Sequence, residues 1–300
     1  MTQTVQQLFP QVQTLADLAH QGLSAATVSR RRRAGRLRRL KQGVYVDPTS
    51  WQSWEPRERC LAQHIAQVKT RPSGVLSHQS AALWMGAPLL KLPSKVHLTY
   101  ASFSGNQAPG LSLHRGRPEV VAASSYLLGA RITSPQQTLL DLALSVPLLE
   151  ALVAGDFLLR KGFLSLDEAR ASLEALQRPR AQRLAQRLSD QSDSPAETIA
   201  RNLIHDWSLP LPREQFEIWT PYGKLYRADF AWPEQGVLLE VDGEVKYSGV
   251  YGNPQEVIRA EHRRQRELEA AGWRIIRVRW KELVEHPLTL RQRLWEAGVR

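Results

Sequence analysis

Three hundred residues with 42% hydrophobic content are enough for one large or two to three ordinary domains with cores of their own. The formal charge of +11 favours a polyanionic partner, nucleic acid ahead of an anionic membrane. The single cysteine, Cys60, excludes an intrachain disulfide and a thiolate zinc site; with no secretory signal pattern and no run near the roughly 18 apolar residues of a membrane span, the chain reads as cytoplasmic.

The basic excess is clustered. Residues 1–48 hold eight Arg or Lys against Asp17 and Asp47. Val12, Leu15, Leu18 and Ala19 have a helical rhythm that Gly22 breaks, and Ser24 is a good cap for a second helix ending at Gly35. Leu37, Leu40, Val44 and Tyr45 then predict two short strands around a basic turn. Helix, turn, helix and β-wing is a winged helix-turn-helix pattern. Its second helix carries Ser29, Arg30, Arg31, Arg32 and Arg33, and its wing carries Arg36, Arg38, Arg39 and Lys41. A recognition helix in the major groove with a wing on the flanking phosphates needs this distribution, although a solvated basic helix has the same composition and four consecutive arginines cannot all face one groove.

Residues 49–190 read as an α/β middle domain. Helices are predicted near 55–69, 77–86, 135–146, 148–160 and 166–177, and strands near 94–100, 111–114 and 129–133. Cys60 falls on the first of these helices and is expected to be inert. Pro135 behind Thr133 or Ser134, and Ser165 with Glu168 three residues on, are helix-start signals. His78, His97 and His114 lack metal-ligand spacing and are read as structural. The polar, basic stretch from Gln177 to Pro195 is where we place the start of a third domain, residues 191–300.

That last domain carries the chemistry. Ser194 begins a helix with Pro195 and Glu197 in its first turn, Gln215–Thr220 reads as a strand, and Tyr226–Trp232 and Val237–Gly243 read as two more. Alternation places Val237, Leu239 and Val241 on one face of the last strand and Leu238, Glu240 and Asp242 on the other. Carboxylates on an apolar strand are costly to bury unless a cation or donors compensate them. Asp229, on the preceding strand, adds a third acid, and Lys246 follows Asp242 by four residues. Three acids and a lysine around a sheet can hold Mg²⁺, or Mn²⁺ in its place, against a phosphodiester and activate a water. On a helix predicted over 255–271, Val257, Glu261, Arg264, Leu268 and Ala271 share one face, so an acid and an arginine point where the apolar residues point. Arg277 and Arg279 share a face of a following strand, in position to grip phosphate, and a helix near 287–297 closes the domain.

The order Glu197, Asp229, Glu240-Val241-Asp242-Gly243, Lys246-Tyr247, Glu261…Arg264…Leu268, Gly272-Trp273 and Arg277…Trp280 resembles the PD-(D/E)XK nucleases nearest the very-short-patch-repair endonucleases, over about 190–285. The front two-thirds resembles the AbiEi-type antitoxin domain of abortive-infection toxin–antitoxin systems. Gly22-Leu23-Ser24, Gly35-Arg36-Leu37, Gly43-Val44-Tyr45, Ser77-His78-Gln79-Ser80-Ala81-Ala82 and Thr133…Pro135…Thr138-Leu139-Leu140-Asp141-Leu142-Ala143 carry that likeness. The nuclease resemblance implies a restriction-endonuclease-like core with Asp229 as central metal carboxylate, Glu240 as second ligand and Glu197 as outer carboxylate. Asp242 stands where the family has a lysine. That implies a third metal ligand there and Lys246 as the displaced basic group, where the repair endonucleases commonly have a histidine.

Two functions follow. One is a Mg²⁺-dependent DNA endonuclease, nicking or cutting both strands, in repair or defence. The other is a non-catalytic DNA-binding regulator of antitoxin type whose nuclease-like fold is a scaffold. A toxin partner would be encoded outside this chain, and double-strand cutting or a palindromic site would call for a dimer. Acids merely facing solvent on an exposed sheet are the third alternative.

Overall fold

A computed structural model describes residues 4–103, 109–220, 223–242 and 254–300, with the backbone alone at 254–258. Lys246 and Tyr247 lie outside the described residues. The described residues are mixed α/β with three sheets, and the chain's contacts divide it into two compact units: Met1–Ala154 with Asp167–Ala185, and Gly155–Leu166 with Gln186–Arg300.

The first unit opens with α1 (Val5–Leu8), β1 (Gln13–Thr14), α2 (Leu15–His20), α3 (Ala25–Arg33), β2 (Arg38–Lys41) and β3 (Val44–Val46). The strands form a small antiparallel sheet in the order β1-β3-β2. Thr14 and Asp17 cap α2 reciprocally, and the Ser24 hydroxyl accepts from the Thr27 amide 3.2 Å away at the start of α3. Leu18, Val28 and Tyr45 are buried together, with Leu23 and Leu37 packed against them, and this small core fixes α3 against α2 and the sheet. Gly43 takes φ +77° at the β2–β3 turn, a conformation open to glycine at no steric cost. The winged-helix pattern is thus present, with one more strand than predicted.

α4 (Pro48–Ser53), α5 (Pro56–Thr70), β4 (Val75–Leu76), α6 (His78–Trp84), β5 (Val96–Tyr100), β6 (Leu111–Arg115), α7 (Pro118–Ala122), β7 (Ser125–Leu127), β8 (Ala130–Ile132), α8 (Pro135–Ser145), α9 (Leu148–Arg160), α10 (Leu166–Glu174) and α11 (Pro179–Arg187) follow. β4 to β8 make a mixed sheet in the order β6-β5-β4-β8-β7. Ser134 caps α8 by accepting from the Gln137 amide at 3.1 Å, with Pro135 at the first helical position. Cys60 lies on α5 and burial pushes its thiol up to about 11, which leaves it protonated and unreactive. α11 occupies part of the polar, basic stretch from Gln177 to Pro195, where the sequence predicts no helix. Its apolar residues are few, but Ala181, Leu184 and Ala185 are spaced i, i+3, i+4 and all three are buried.

In the second unit, α12 (Pro195–Asp206) leads into the antiparallel strands β9 (Arg213–Trp219), β10 (Leu225–Trp232) and β11 (Val237–Asp242). α13 (Pro254–Ala270) then crosses over to β12 (Arg274–Arg279), which pairs parallel to β11, and α14 (Trp280–Glu285) and α15 (Pro287–Glu296) follow. β11 is buried along nearly its whole length, as a central strand covered on both faces must be. Leu268 of α13 packs fully buried with Ile218, Ala228, Ala231 and Leu238, flanked by Phe216, Tyr226, Trp273 and Ile275. Its burial is worth about 2 kcal/mol and fixes the phase of α13 on the sheet.

Candidate functional site

On α3 the buried Val28 sets the helix phase. Arg30 and Arg33 lie about 200° and 140° further round, on the face opposite the core, while Arg31 and Arg32 flank it. All four are exposed, as are Arg36, Arg38 and Arg39, and Ser29 is half-buried. Among the described residues no carboxylate pairs with any of these arginines. Their clustering in the last turn of α3 is offset in part by the negative end of the helix dipole. Arg38 places its guanidinium 4.7 Å from the centre of the Trp51 ring. Lys41 is different. Its Nζ donates to Gln67 Oε1 at 2.6 Å and Thr70 Oγ1 at 2.8 Å on α5, and burial followed by the nearby Arg71 lowers its pKa. Lys41 therefore joins the wing to α5 instead of presenting a free cation.

The acids of the second unit separate into two groups. Glu240 on β11 is 8% exposed and meets two arginines: Arg277 Nε lies 3.2 Å from its Oε2, and the Arg264 guanidinium contacts its Oε1 as an ion pair without hydrogen-bond geometry. Arg277 also binds Glu261, which lies 3.6 Å from Arg264. Parallel pairing places Glu240 directly opposite Arg277 and Asp242 opposite Arg279, so the ladder itself brings acid and base together. The stripe of Glu261, Arg264 and Leu268 predicted for α13 does face the sheet, where Arg264 meets Glu240, Glu261 meets Arg277 and Leu268 enters the apolar core. Arg279 is exposed.

Asp229 and Glu197 form the second group. Asp229 Oδ2 accepts from the Val241 amide at 2.7 Å. Glu197, 5% exposed, is held in the first turn of α12. The Ser194 hydroxyl donates to its Oε1 at 2.7 Å, and the Asp193 amide and Gln215 side chain each donate to its Oε2 at 2.8 Å. Burial raises the Glu197 pKa, the Ser194 and Asp193 bonds oppose that, and the charges of Asp229 and Asp193 raise it further. Gln215, opposite Asp229 between the Ala228–Phe216 and Phe230–Glu214 pairs, has φ +49°, a strained conformation for this residue.

A Mg²⁺ ion would need hard oxygen ligands converging on one point. Among the described residues no three carboxylates bring their oxygens within 4.8 Å of one another, and Glu240 is already compensated by two guanidinium groups. The described acids in this arrangement do not fit the ion. Among the described histidines, cysteines and acids, the three side chains that meet that distance are His78, His97 and His114 of the first unit, which lack any sequence spacing to announce them.

A sequence reading also missed the arginine at the heart of the second unit. Arg201, 5% exposed on α12, pairs with the buried Asp156 at 2.5 Å and with Glu214 at 2.8 Å. Burial acts against its charge, yet Asp156 and Glu214 together hold its pKa above the ordinary value.

Residues 3–46 match the family model of the AbiEi antitoxin transcriptional regulators. The segment holding α2, α3, β2 and β3 is thus a regulator-type domain; the match does not extend to the rest of the chain. Two uncharacterised Mycobacterium tuberculosis proteins, MT2308 of strain CDC 1551 and Rv2248 of strain H37Rv, are each 29% identical over 272 residues, spanning 87% of this chain and 92% of their own. The crystal structure of the Rv2827c protein from the same species aligns over 74% of this chain and 89% of its own, at 16% identity and a TM-score of 0.36, too low to argue from. No helix among the described residues is long and apolar enough to cross a membrane.

Proposed function

We propose that the protein is a DNA-binding transcriptional regulator of antitoxin type that docks on duplex DNA through α3 and the β2–β3 wing. The observation that carries this reading is the exposed, acid-free arginine set of α3 and the wing, on a segment matching a regulator family. Arg30 and Arg33 enter the major groove with Ser29 at their side, Arg31 and Arg32 reach the flanking phosphates, and Arg36, Arg38 and Arg39 hold the backbone beside the wing. Residues 1–48 then form the DNA-reading domain, 49–190 an α/β middle domain and 191–300 a nuclease-like scaffold. A toxin-type protein is a natural partner for such a regulator.

The test is fluorescence anisotropy of the full chain with the duplex upstream of its own gene and a shuffled duplex, at several salt concentrations. Sequence-selective binding that Arg30→Ala with Arg33→Ala abolishes supports the reading. Equal affinity for both duplexes, or binding unaffected by the double substitution, overturns it.

A metal-dependent DNA endonuclease is the second reading. It is favoured by Asp229 and Glu240 on adjacent antiparallel strands with Glu197 close to Asp229, and it requires Arg264 and Arg277 to release Glu240. Asp242, Lys246, Glu261 and Arg279 would complete its site. Supercoiled plasmid incubated with the protein and Mg²⁺ or Mn²⁺ separates the readings: conversion to open circles or linear DNA, lost in Asp229→Ala and in Glu240→Ala, would establish the nuclease.

A further inference from the structure

The first unit holds a second constellation besides the arginine set of α3 and the wing. β5 and β6 are parallel neighbours. His97 pairs with Ser112 and Thr99 with His114, so the two histidines stand on one face of adjacent strands, offset by two residues. His97 Nδ1 lies 2.9 Å from His114 Nε2. His78 opens α6, and its ring stacks on His114 with centroids 3.9 Å apart. One ring nitrogen of each histidine lies within 4.8 Å of the others.

The three imidazoles are stacked, with ring centroids 5.4, 3.9 and 5.1 Å apart. His78 has φ +54°, a costly conformation for a residue with a Cβ, and such strain persists where the surroundings over-determine it. Burial, and then repulsion from the other rings, pushes His78 down to about 3 and His97 to about 4, and burial lowers His114. Asp141 of α8 has its Oδ2 3.4 Å from His78 Nδ1 and its Oδ1 2.7 Å from the Gln137 side-chain nitrogen. The Ser77 hydroxyl lies 2.9 Å from the same His78 Nδ1. A carboxylate at one ring nitrogen is the arrangement that fixes the tautomer of a metal-ligating histidine. A cavity of about 210 Å³, lined by His78, His114, Thr99, Thr133 and Asp141 and edged by Arg115 and Arg117, opens beside the cluster.

We propose that His78, His97 and His114 bind one divalent transition-metal ion of the Zn²⁺ class, with Asp141 orienting His78 and the cavity leaving a further coordination position open. Imidazole nitrogens suit Zn²⁺, Co²⁺ and Ni²⁺ in preference to Mg²⁺. Tetrahedral ligands at about 2.1 Å from the ion stand roughly 3.4 Å apart; the His97–His114 nitrogens are 2.9 Å apart and all three lie within 4.8 Å of one another. Three histidines with an open position are a ligand set that keeps water or a small anion on the metal.

The experiment is titration of the chelator-treated full chain with CoCl₂ and ZnCl₂, read by visible absorption, metal stoichiometry and thermal midpoint. One Co²⁺ per chain with visible d–d bands and a midpoint rise of at least about 4 °C are expected. His97→Gln and His114→Gln abolish both, while His262→Gln and His286→Gln at exposed positions change neither. Asp141→Asn retains one equivalent with affinity lowered by about 10–100-fold; unchanged affinity would remove Asp141 from the site. X-ray absorption of the Zn²⁺ form of the unsubstituted protein gives three imidazoles and needs no variant to fold. Absence of binding at tenfold metal excess, binding that survives His114→Gln, or fewer than two imidazoles on the zinc overturns the proposal.

Discussion

The two basic regions of this chain use the same residue type in opposite ways. On α3 and the wing, arginines stand exposed with no acid among the described residues paired to them. In the second unit, Arg201, Arg264 and Arg277 are each bound by two carboxylates: Asp156 and Glu214, Glu240 and Glu261, and Glu240 and Glu261 again. The first arrangement keeps its positive potential for a partner, and the second spends it inside the fold. Net charge along the sequence does not distinguish them, because it counts charges without saying which are already neutralised.

That contrast can be broken most sharply at Arg201. Arg201→Ala leaves Asp156 and Glu214 facing each other in a buried setting, and a loss of about 3–5 kcal/mol in urea or thermal unfolding is expected. A loss below about 1 kcal/mol would mean the second unit does not depend on its buried pairs.

A smaller effect is expected at His64, a base held neutral by its surroundings. It is 1% exposed, its Nδ1 lies 2.8 Å from the Cys60 carbonyl and its Nε2 2.8 Å from Ser80 Oγ. Burial brings it down to about 4 against the pull of the Cys60 carbonyl. The unfolded chain takes up this proton near pH 6.5 and the folded one resists it. The contribution of neutral His64 is therefore complete above that pH and is lost as pH falls from about 6.5 towards 4, amounting to about 3 kcal/mol. Unfolding curves across that range should show the slope, and His64→Gln should reduce it.

Next comes the free arginine set. Arg30→Ala and Arg33→Ala should each weaken duplex binding by roughly tenfold or more, while the thermal midpoint stays where it was because neither side chain is buried or paired. A shift of the midpoint by several degrees would show that these residues support the fold. The smallest effect belongs to Arg277→Ala, about 1 kcal/mol, since Arg277 is a third exposed and Glu240 keeps Arg264. If DNA affinity fell with Arg277→Ala as far as with Arg30→Ala, the contrast between the two regions would fail.

Much of the fold was legible because local rules and packing agreed. Ser24 as a cap, Gly35 past the end of α3, Pro135 at the start of α8 and the apolar run of β11 each predicted the element found. The short strands β4 and β7 were not legible. Two or three residues are too few to show a period, and they pair only because β5 and β8 lie beside them. Helix α11 escaped because three small or apolar residues suffice for its buried face. At the candidate sites, residue type was readable for all three of Glu240, Glu261 and Arg264, as were the strand face of Glu240 and the helix face of Glu261 and Arg264, but their partners were not.

By itself the sequence determined what depends on neighbours a few residues apart: where helices start and stop, which strand face carries acids, and where arginines accumulate. Only the tertiary structure decided which charges are spent. It paired Glu240 with Arg264 and Arg277, tied Lys41 to α5, and gathered His78, His97 and His114 from two strands and a helix. The physical reason is that electrostatic interaction falls with distance in space, and residues 37 apart in the chain, as Glu240 and Arg277 are, reach contact distance only once the sheet has formed.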